Sequence, residues 1–155
     1  MRRRRQRQQL IVLLLGAGLL GVMIYLVSSI LISAEGKAER VVENFYSLEQ
    51  DGDYGQSWEL LHSVMHDRFS RGAYIQDRAH VFNGHFGAET FEFEVSDAQE
   101  HKQWRMEKGG KVFAVAYEFR VVQVYRGKYG HFEFVQYVYV VEEKDEWRVV
   151  WDYRE

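Results

Sequence analysis

The final stretch of the chain, His131 to Arg154, constrains the fold more than any other. It reads HFEFVQYVYVVEEKDEWRVVWDYR, two apolar, aromatic and β-branched runs joined by the charged link Glu142-Glu143-Lys144-Asp145. Such residue types suit a pleated, half-buried surface. In the second run Trp147, Val149, Trp151 and Tyr153 alternate with Arg148, Val150 and Asp152, the two-residue period of a strand. Two strands alone are unstable in water, so the preceding chain must supply their cover.

That cover begins with helices. From Ala34 to Gln50, Ala38, Val41, Val42, Phe45, Tyr46 and Glu49 recur at steps of three and four, one buried stripe that is apolar except for its last member. Asp51-Gly52-Asp53 stops this helix. A second helix is expected from about Tyr54 to Met65, burying Trp58, Leu61 and Met65. A third opens at Ser70-Arg71-Gly72 with Ser70 as N-cap, turns Tyr74, Ile75, Ala79 and Phe82 inward, and dissolves in Asn83-Gly84-His85-Phe86-Gly87. From Glu89 the period becomes alternating: Phe91, Phe93 and Val95 share one face, Gln103 to Glu107 carries Trp104 and Met106, and Lys108-Gly109-Gly110 turns. Lys111 to Tyr125 is apolar on both faces, as a central strand requires. Three helices followed by about five antiparallel strands give an α+β domain over 34–155, with the helices on one face of the sheet. The two-faced apolar strand leaves a surplus for the other face, the feature most suggestive of an interface.

Ahead of this domain, Leu10 to Ile32 is a run of 23 positions broken only by glycines, Ser28 and Ser29. As a helix it extends about 35 Å, enough for a hydrocarbon core of about 30 Å. Arg2, Arg3, Arg4, Arg5 and Arg7 precede it, and no acid occurs before Glu35. This places residues 1–9 in the cytoplasm as a basic tail and the domain outside, with the bilayer as the partner of Leu10–Ile32. Ser33-Ala34 offers a cleavage site, but the run is longer than a usual signal-peptide core, which favours an uncleaved anchor. Past the anchor, 15 basic face 23 acidic residues, a balance without the footprint of a nucleic-acid binder. The absence of cysteine excludes disulfides, thiol catalysis and thiolate metal sites.

Val41-Val42-Glu43-Asn44-Phe45-Tyr46, Asp53-Tyr54 before Trp58-x-x-Leu61, and the ending Glu146-Trp147-Arg148-Val149-Val150-Trp151-Asp152 resemble the nuclear transport factor 2-like superfamily. Within it, they are most similar to the N-terminal domain of class B penicillin-binding proteins of the methicillin-resistance type. The resemblance covers about residues 34–153. It implies a cone-shaped domain with a strongly curved sheet around the helices. It also implies a spacer or docking role towards an envelope protein or cell-wall material, linked to cell-wall synthesis or antibiotic response. The transpeptidase activity of those proteins is not implied, because no serine here has lysine three residues later. Similar anchored cones in conjugation machines make a secretion or conjugation subunit a further expectation.

Candidate chemistry is sparse. His62 and His66, with Asp67 adjacent, have metal-ligand spacing on one helix face. Ser63-Val64-Met65 lacks the glutamate of a zinc protease, so helix-end histidines are the simpler expectation. By type, and by the superfamily's habit of placing acid–base groups in the mouth of the cone, Tyr46, Tyr74, Tyr117, His131 and Asp152 are pocket candidates. Asp152 falls opposite the tryptophan face. No triad, phosphate loop or paired carboxylates occur, and no cofactor or metal is expected. The reading is therefore a non-enzymatic docking domain, with a small-molecule-binding or enzymatic cone as the alternative.

Overall fold

Residues 14, 16–23, 33–81, 87 and 90–154 are described by the structure, a computed structural model. The chain divides into two units, Met1–Ser33 and Ala34–Glu155. In the first, residues 14 and 16–23 are helical. The rest of the expected span Leu10–Ile32 lies outside the described residues, and among those described no helix is long and apolar enough to cross a membrane.

In the second unit, α1 (Ala34–Gln50) buries Ala38, Val42, Phe45, Tyr46 and Glu49, the stripe expected from its spacing. It ends in a Schellman turn: Gly52 N–H donates to Glu49 C=O and Asp53 N–H to Leu48 C=O. Gly52 takes a φ of +75° there, which glycine adopts without steric cost. Asp53 then accepts from Gln56 N–H and caps α2 (Tyr54–Glu59). The single helix expected to Met65 breaks into α2 and α3 (Ser63–His66). The cause is backbone commitment between them. Leu60 C=O accepts from Val149 N–H and His62 N–H donates to Val149 C=O, both at 2.9 Å, so these groups cannot also serve a helix. Ser70 caps α4 (Arg71–Ala79) as expected. Phe82 and the loop 83–86 lie outside the described residues.

Five antiparallel strands follow: β1 (Phe91–Val95), β2 (Gln99–Arg105), β3 (Val112–Gly127), β4 (Gly130–Glu143) and β5 (Glu146–Trp151). Their order is β1-β3-β4-β5, with β2 also on β3. β3 has 16 residues, against about 5–6 for a typical strand, and so seats two partners on one edge. β2 pairs Val112–Glu118 and β1 pairs Val121–Tyr125. β2 starts earlier than the expected Gln103, and Gln103 itself has φ +53°. That left-handed residue breaks the strand's alternation, so Trp104 stacks on Tyr139 (4.4 Å), the ring that His101 also approaches. The β4–β5 link is a two-residue hairpin turn at Lys144-Asp145, both at positive φ, the primed geometry that matches strand twist.

One face of the sheet meets the helices. Phe119, Val121, Gln123 and Tyr125 of β3 lie in register with Val138, Gln136, Phe134 and Phe132 of β4. Trp151 of β5 is met by Phe45 edge-on and by Phe69 and Tyr74. Phe45 and Val138 are fully buried, and truncating a core phenylalanine to alanine costs about 3–5 kcal/mol.

Candidate functional site

Three features of the Ala34–Glu155 unit could carry function: a polar cluster under the helices, a second polar cluster on the opposite face of the sheet, and an edge of β4.

The first is built on Glu49, the one charged member of the α1 stripe. Its side chain is fully buried. One carboxylate oxygen accepts from Ser57 Oγ and from Tyr74 Oη (2.8 Å), and the other accepts from the Arg78 guanidinium. Tyr74 and Arg78 are four apart on α4 and so present one face. Nearby, Tyr46 donates to Gln136 Oε1 at 2.9 Å and Tyr125 to Gln123 Oε1 at 2.8 Å. Burial, countered in part by Arg78, pushes the phenols of Tyr46 and Tyr125 well above their ordinary value. Burial and then Glu49 do the same for Tyr74. Burial works against the charge of Arg78, but Glu49 outweighs it and holds the guanidinium protonated. These phenols therefore stay protonated at neutral pH, and their hydrogens are already donated within the cluster. Beside it, Asp77, Arg78, Val81, Tyr125, Phe132, Phe134 and Gln136 line a cavity of about 390 Å³.

The second cluster joins His101, Glu118, Tyr139, Asp152 and Arg154. Glu118 Oε2 lies 2.8 Å from His101 Nε2 and accepts from Tyr139 Oη at 2.8 Å. Burial and the bond to Glu118 raise the Tyr139 phenol. Burial would raise Asp152, but hydrogen bonds from the Arg154 side chain and backbone prevail and hold its carboxyl below the usual range. Arg154 also lies over the Trp104 ring at 5.5 Å. The cluster borders an open hollow of about 640 Å³ whose rim carries Lys102, Arg105 and Lys108.

The third feature follows from unequal strand lengths. β5 pairs only Val138–Glu143 of β4. Glu133 to Tyr137 pair with β3 on one side and have no strand neighbour on the other among the described residues. Phe134, Val135 and Tyr137 in this segment are 47%, 41% and 52% exposed. Neither proline nor lysine, the usual blunting residues of an edge, occurs in it.

The structure brings only some of the sequence candidates together. Tyr46 and Tyr74 both belong to the Glu49 cluster. Tyr117 does not: it lies six residues along β3 from Gln123, about 20 Å at strand rise, and packs on Trp147 at 5.4 Å. His131 is exposed and pairs with Arg126. The residues of β4 that face the helices are the even-numbered ones, so alternation turns His131 to the other face. Asp152 does lie away from the helices, but its side chain is three-quarters buried. His62 and His66 do not share a helix face. His62 precedes α3 as its N-cap, with Nδ1 accepting from Val64 N–H at 3.0 Å, and His66 stacks on Trp58 at 3.7 Å. Sequence reasoning missed Glu49 and Arg78, although a glutamate on an otherwise apolar stripe was the available signal. It also missed the β4 edge, whose signal was the longer first run of the closing pair.

The fold and sites thus define an α+β domain with a hydrogen-bonded polar cluster and a cavity on the helical face, and a β4 segment that has no strand neighbour among the described residues on one side. No protein-family model matches the chain, and no curated protein matches its sequence.

Proposed function

We propose that residues 34–155 are a non-catalytic docking domain, tethered to the cell membrane with residues 10–32 as a single-pass anchor, the N-terminus cytoplasmic and the domain in the cell envelope. The observation that carries this reading is the β4 edge, where a segment without a strand neighbour among the described residues coincides with three exposed apolar side chains. Such an edge is a template for strand addition, in which main-chain hydrogen bonds give affinity and flanking side chains give specificity. The polar clusters support the same reading. Glu49 is saturated by donors, and the neighbouring tyrosines are kept protonated, so neither offers a base near neutral pH. Helices followed by a five-stranded antiparallel sheet suit the nuclear-transport-factor-2-like cone, and Trp147–Asp152, which is β5 and the residue after it, is the stretch that most resembles that family's ending. Docking on cell-wall synthesis proteins and assembly into a secretion or conjugation complex are both roles such an edge could serve.

The test is a photo-crosslinking side chain placed at Phe134 or Tyr137 in the full chain, in cells, with exposed Lys102 and Glu94 as controls. Protein adducts are expected from the two edge positions and not from the controls. Equal adducts everywhere, or none, would overturn the reading.

A second reading has one observation in its favour. Gln123 is fully buried, its Nε2 has no hydrogen-bond partner among the described residues, and it lies next to the 390 Å³ cavity, whose wall includes its register partner Phe134 and its hydrogen-bond partner Tyr125. An unpaired buried amide is costly, and a small polar ligand that reached it past the cavity wall of Tyr125 and Phe134 would remove that cost. A thermal-shift screen with small carboxylic acids and amides would favour this reading if a stabilising compound lost its effect in Gln123→Leu.

A further inference from the structure

We propose that the hollow of about 640 Å³ beside β2 is a phosphate-binding site, held by Arg105 and Lys108 with Lys102 at the rim. The phosphate is carried by a small soluble molecule or by a lipid headgroup. The site lies apart from the β4 edge and does not depend on the docking reading.

The charges of the hollow run against those of the domain. Past the anchor acidic residues outnumber basic ones by 23 to 15. The lining of the hollow nevertheless carries Lys102, Arg105, Lys108 and Arg154 against the single carboxylate of Glu107. The carboxylates around it are already engaged. Glu107 pairs with Arg68, and Asp152 with Arg154. Glu118 accepts from Tyr139 and lies 2.8 Å from His101 Nε2. Lys102 has Glu100 at 3.6 Å, in a pair open to water. Arg105 and Lys108 have no ion-pair partner among the described residues. Trp104 in the wall is buried, and its indole N–H has no acceptor among the described residues. Donors are in surplus and acceptors are committed, a balance that an anion corrects.

The backbone places these groups. β2 bends at Gln103, whose φ of +53° is uncommon for a residue other than glycine, asparagine or aspartate. Backbone strain of this kind clusters at ligand clamps. Here it leaves Lys102 and Gln103, neighbours in sequence, both exposed, and it turns Trp104 onto Tyr139. Arg105 Nη1 donates to Gly110 C=O at 2.9 Å, and Gly110 N–H donates to Glu107 C=O at 3.1 Å. The turn that carries Lys108 is thus tied to Arg105, and both side chains line the hollow. The guanidinium keeps further N–H donors in a planar fork that suits phosphate oxygens, and the ammonium adds a point charge. A monocarboxylate would balance only one of these two cations, whereas a phosphate dianion matches both. Glu100, Glu118 and Asp152 lie close by, so the positive potential is local and fits one phosphate group rather than a nucleic-acid strand.

The test is calorimetric titration of the full-length chain, held in a maltoside detergent, with glycerol 3-phosphate at fixed ionic strength. A saturable isotherm is expected, and acetate should give none. Arg105→Gln combined with Lys108→Gln should weaken binding at least about tenfold, as the loss of one charge-assisted hydrogen bond would. Both side chains are exposed, so the fold should persist, which far-UV circular dichroism checks. Lys128→Gln, at an exposed lysine of the β3–β4 turn, should leave binding unchanged. Dihexanoyl phosphatidic acid below its micelle-forming concentration separates the two sources. Binding at least about tenfold tighter than that of glycerol 3-phosphate, and lost in the double variant, assigns a lipid headgroup. Equal affinity assigns a soluble phosphate. No saturable binding of either phosphate, an equal response to acetate, or full affinity in the double variant would overturn the proposal.

Discussion

Two ion pairs of this domain have the same chemistry and opposite surroundings. Glu49–Arg78 lies under the helices, the carboxylate with no solvent exposure. Asp152–Arg154 is bidentate but nearer the surface, with the Arg154 side chain almost half exposed. In the first, desolvation has already been incurred, and every neighbour is arranged to compensate it. In the second, water reaches the Arg154 side chain and can replace it at the carboxylate. The contrast teaches that here the buried pair is structural, since breaking it strands a charge, whereas the better-formed surface pair contributes little.

The largest effect expected from this comparison is Arg78→Met. It leaves Glu49 without its countercharge and should lower stability by about 3–5 kcal/mol, read from the midpoint of urea unfolding. An effect within experimental error would erase the distinction between the two pairs. Tyr74→Phe removes one hydrogen bond to the same carboxylate and should cost about 1.5–3 kcal/mol, with the fold kept as judged by far-UV circular dichroism.

A third prediction concerns His62, which is buried and neutral. Burial lowers its pKa, with Lys111 and His66 adding to the shift against the opposing pull of Glu143. Protonation would also place a hydrogen on Nδ1, the atom that accepts from Val64 N–H. The unfolded chain then binds a proton near pH 6.5 that the folded chain resists. Stability from neutral His62 is complete above about 6.5 and falls as pH drops below it, by no more than about 1.4 kcal/mol per pH unit. His62→Asn keeps an N-cap acceptor and should flatten thermal stability between pH 6.5 and 5. An unchanged slope would assign the titration elsewhere. The smallest effect is Arg154→Ala, expected to cost less than about 1 kcal/mol and to lose even that at high salt. A larger, salt-insensitive loss would make the second pair as structural as the first.

What could be read in advance divides along a physical line. α1, the Ser70 cap and strands β1, β3, β4 and β5 were legible because each depends on local periodicity and capping. The break between α2 and α3 was not, because Leu60 and His62 spend their backbone bonds on Val149, far along the chain. The same applies to Gln103, whose left-handed turn swings Trp104 onto Tyr139 against simple alternation. The surplus of apolar surface was expected on β3, but it lies on β4, where β5 stops short. Which strand is left open depends on relative length and register, and neither belongs to any single run. His131 was misplaced for a related reason: its type suggested a pocket, but the parity of β4 turned it outward.

The helical layer is read out before the sheet that covers it. Tyr46 reaches its partner Gln136 across 90 residues of chain, and Phe45 meets Trp151 on the last strand. A growing chain therefore holds Phe45 and Tyr46 without these two partners until β4 and β5 have been made. A chain that has not yet made these strands exposes apolar surface and is prone to aggregation. A ribosome stalled within β4 would release a chain whose helices and first three strands are finished but whose Phe45 has no Trp151 to meet.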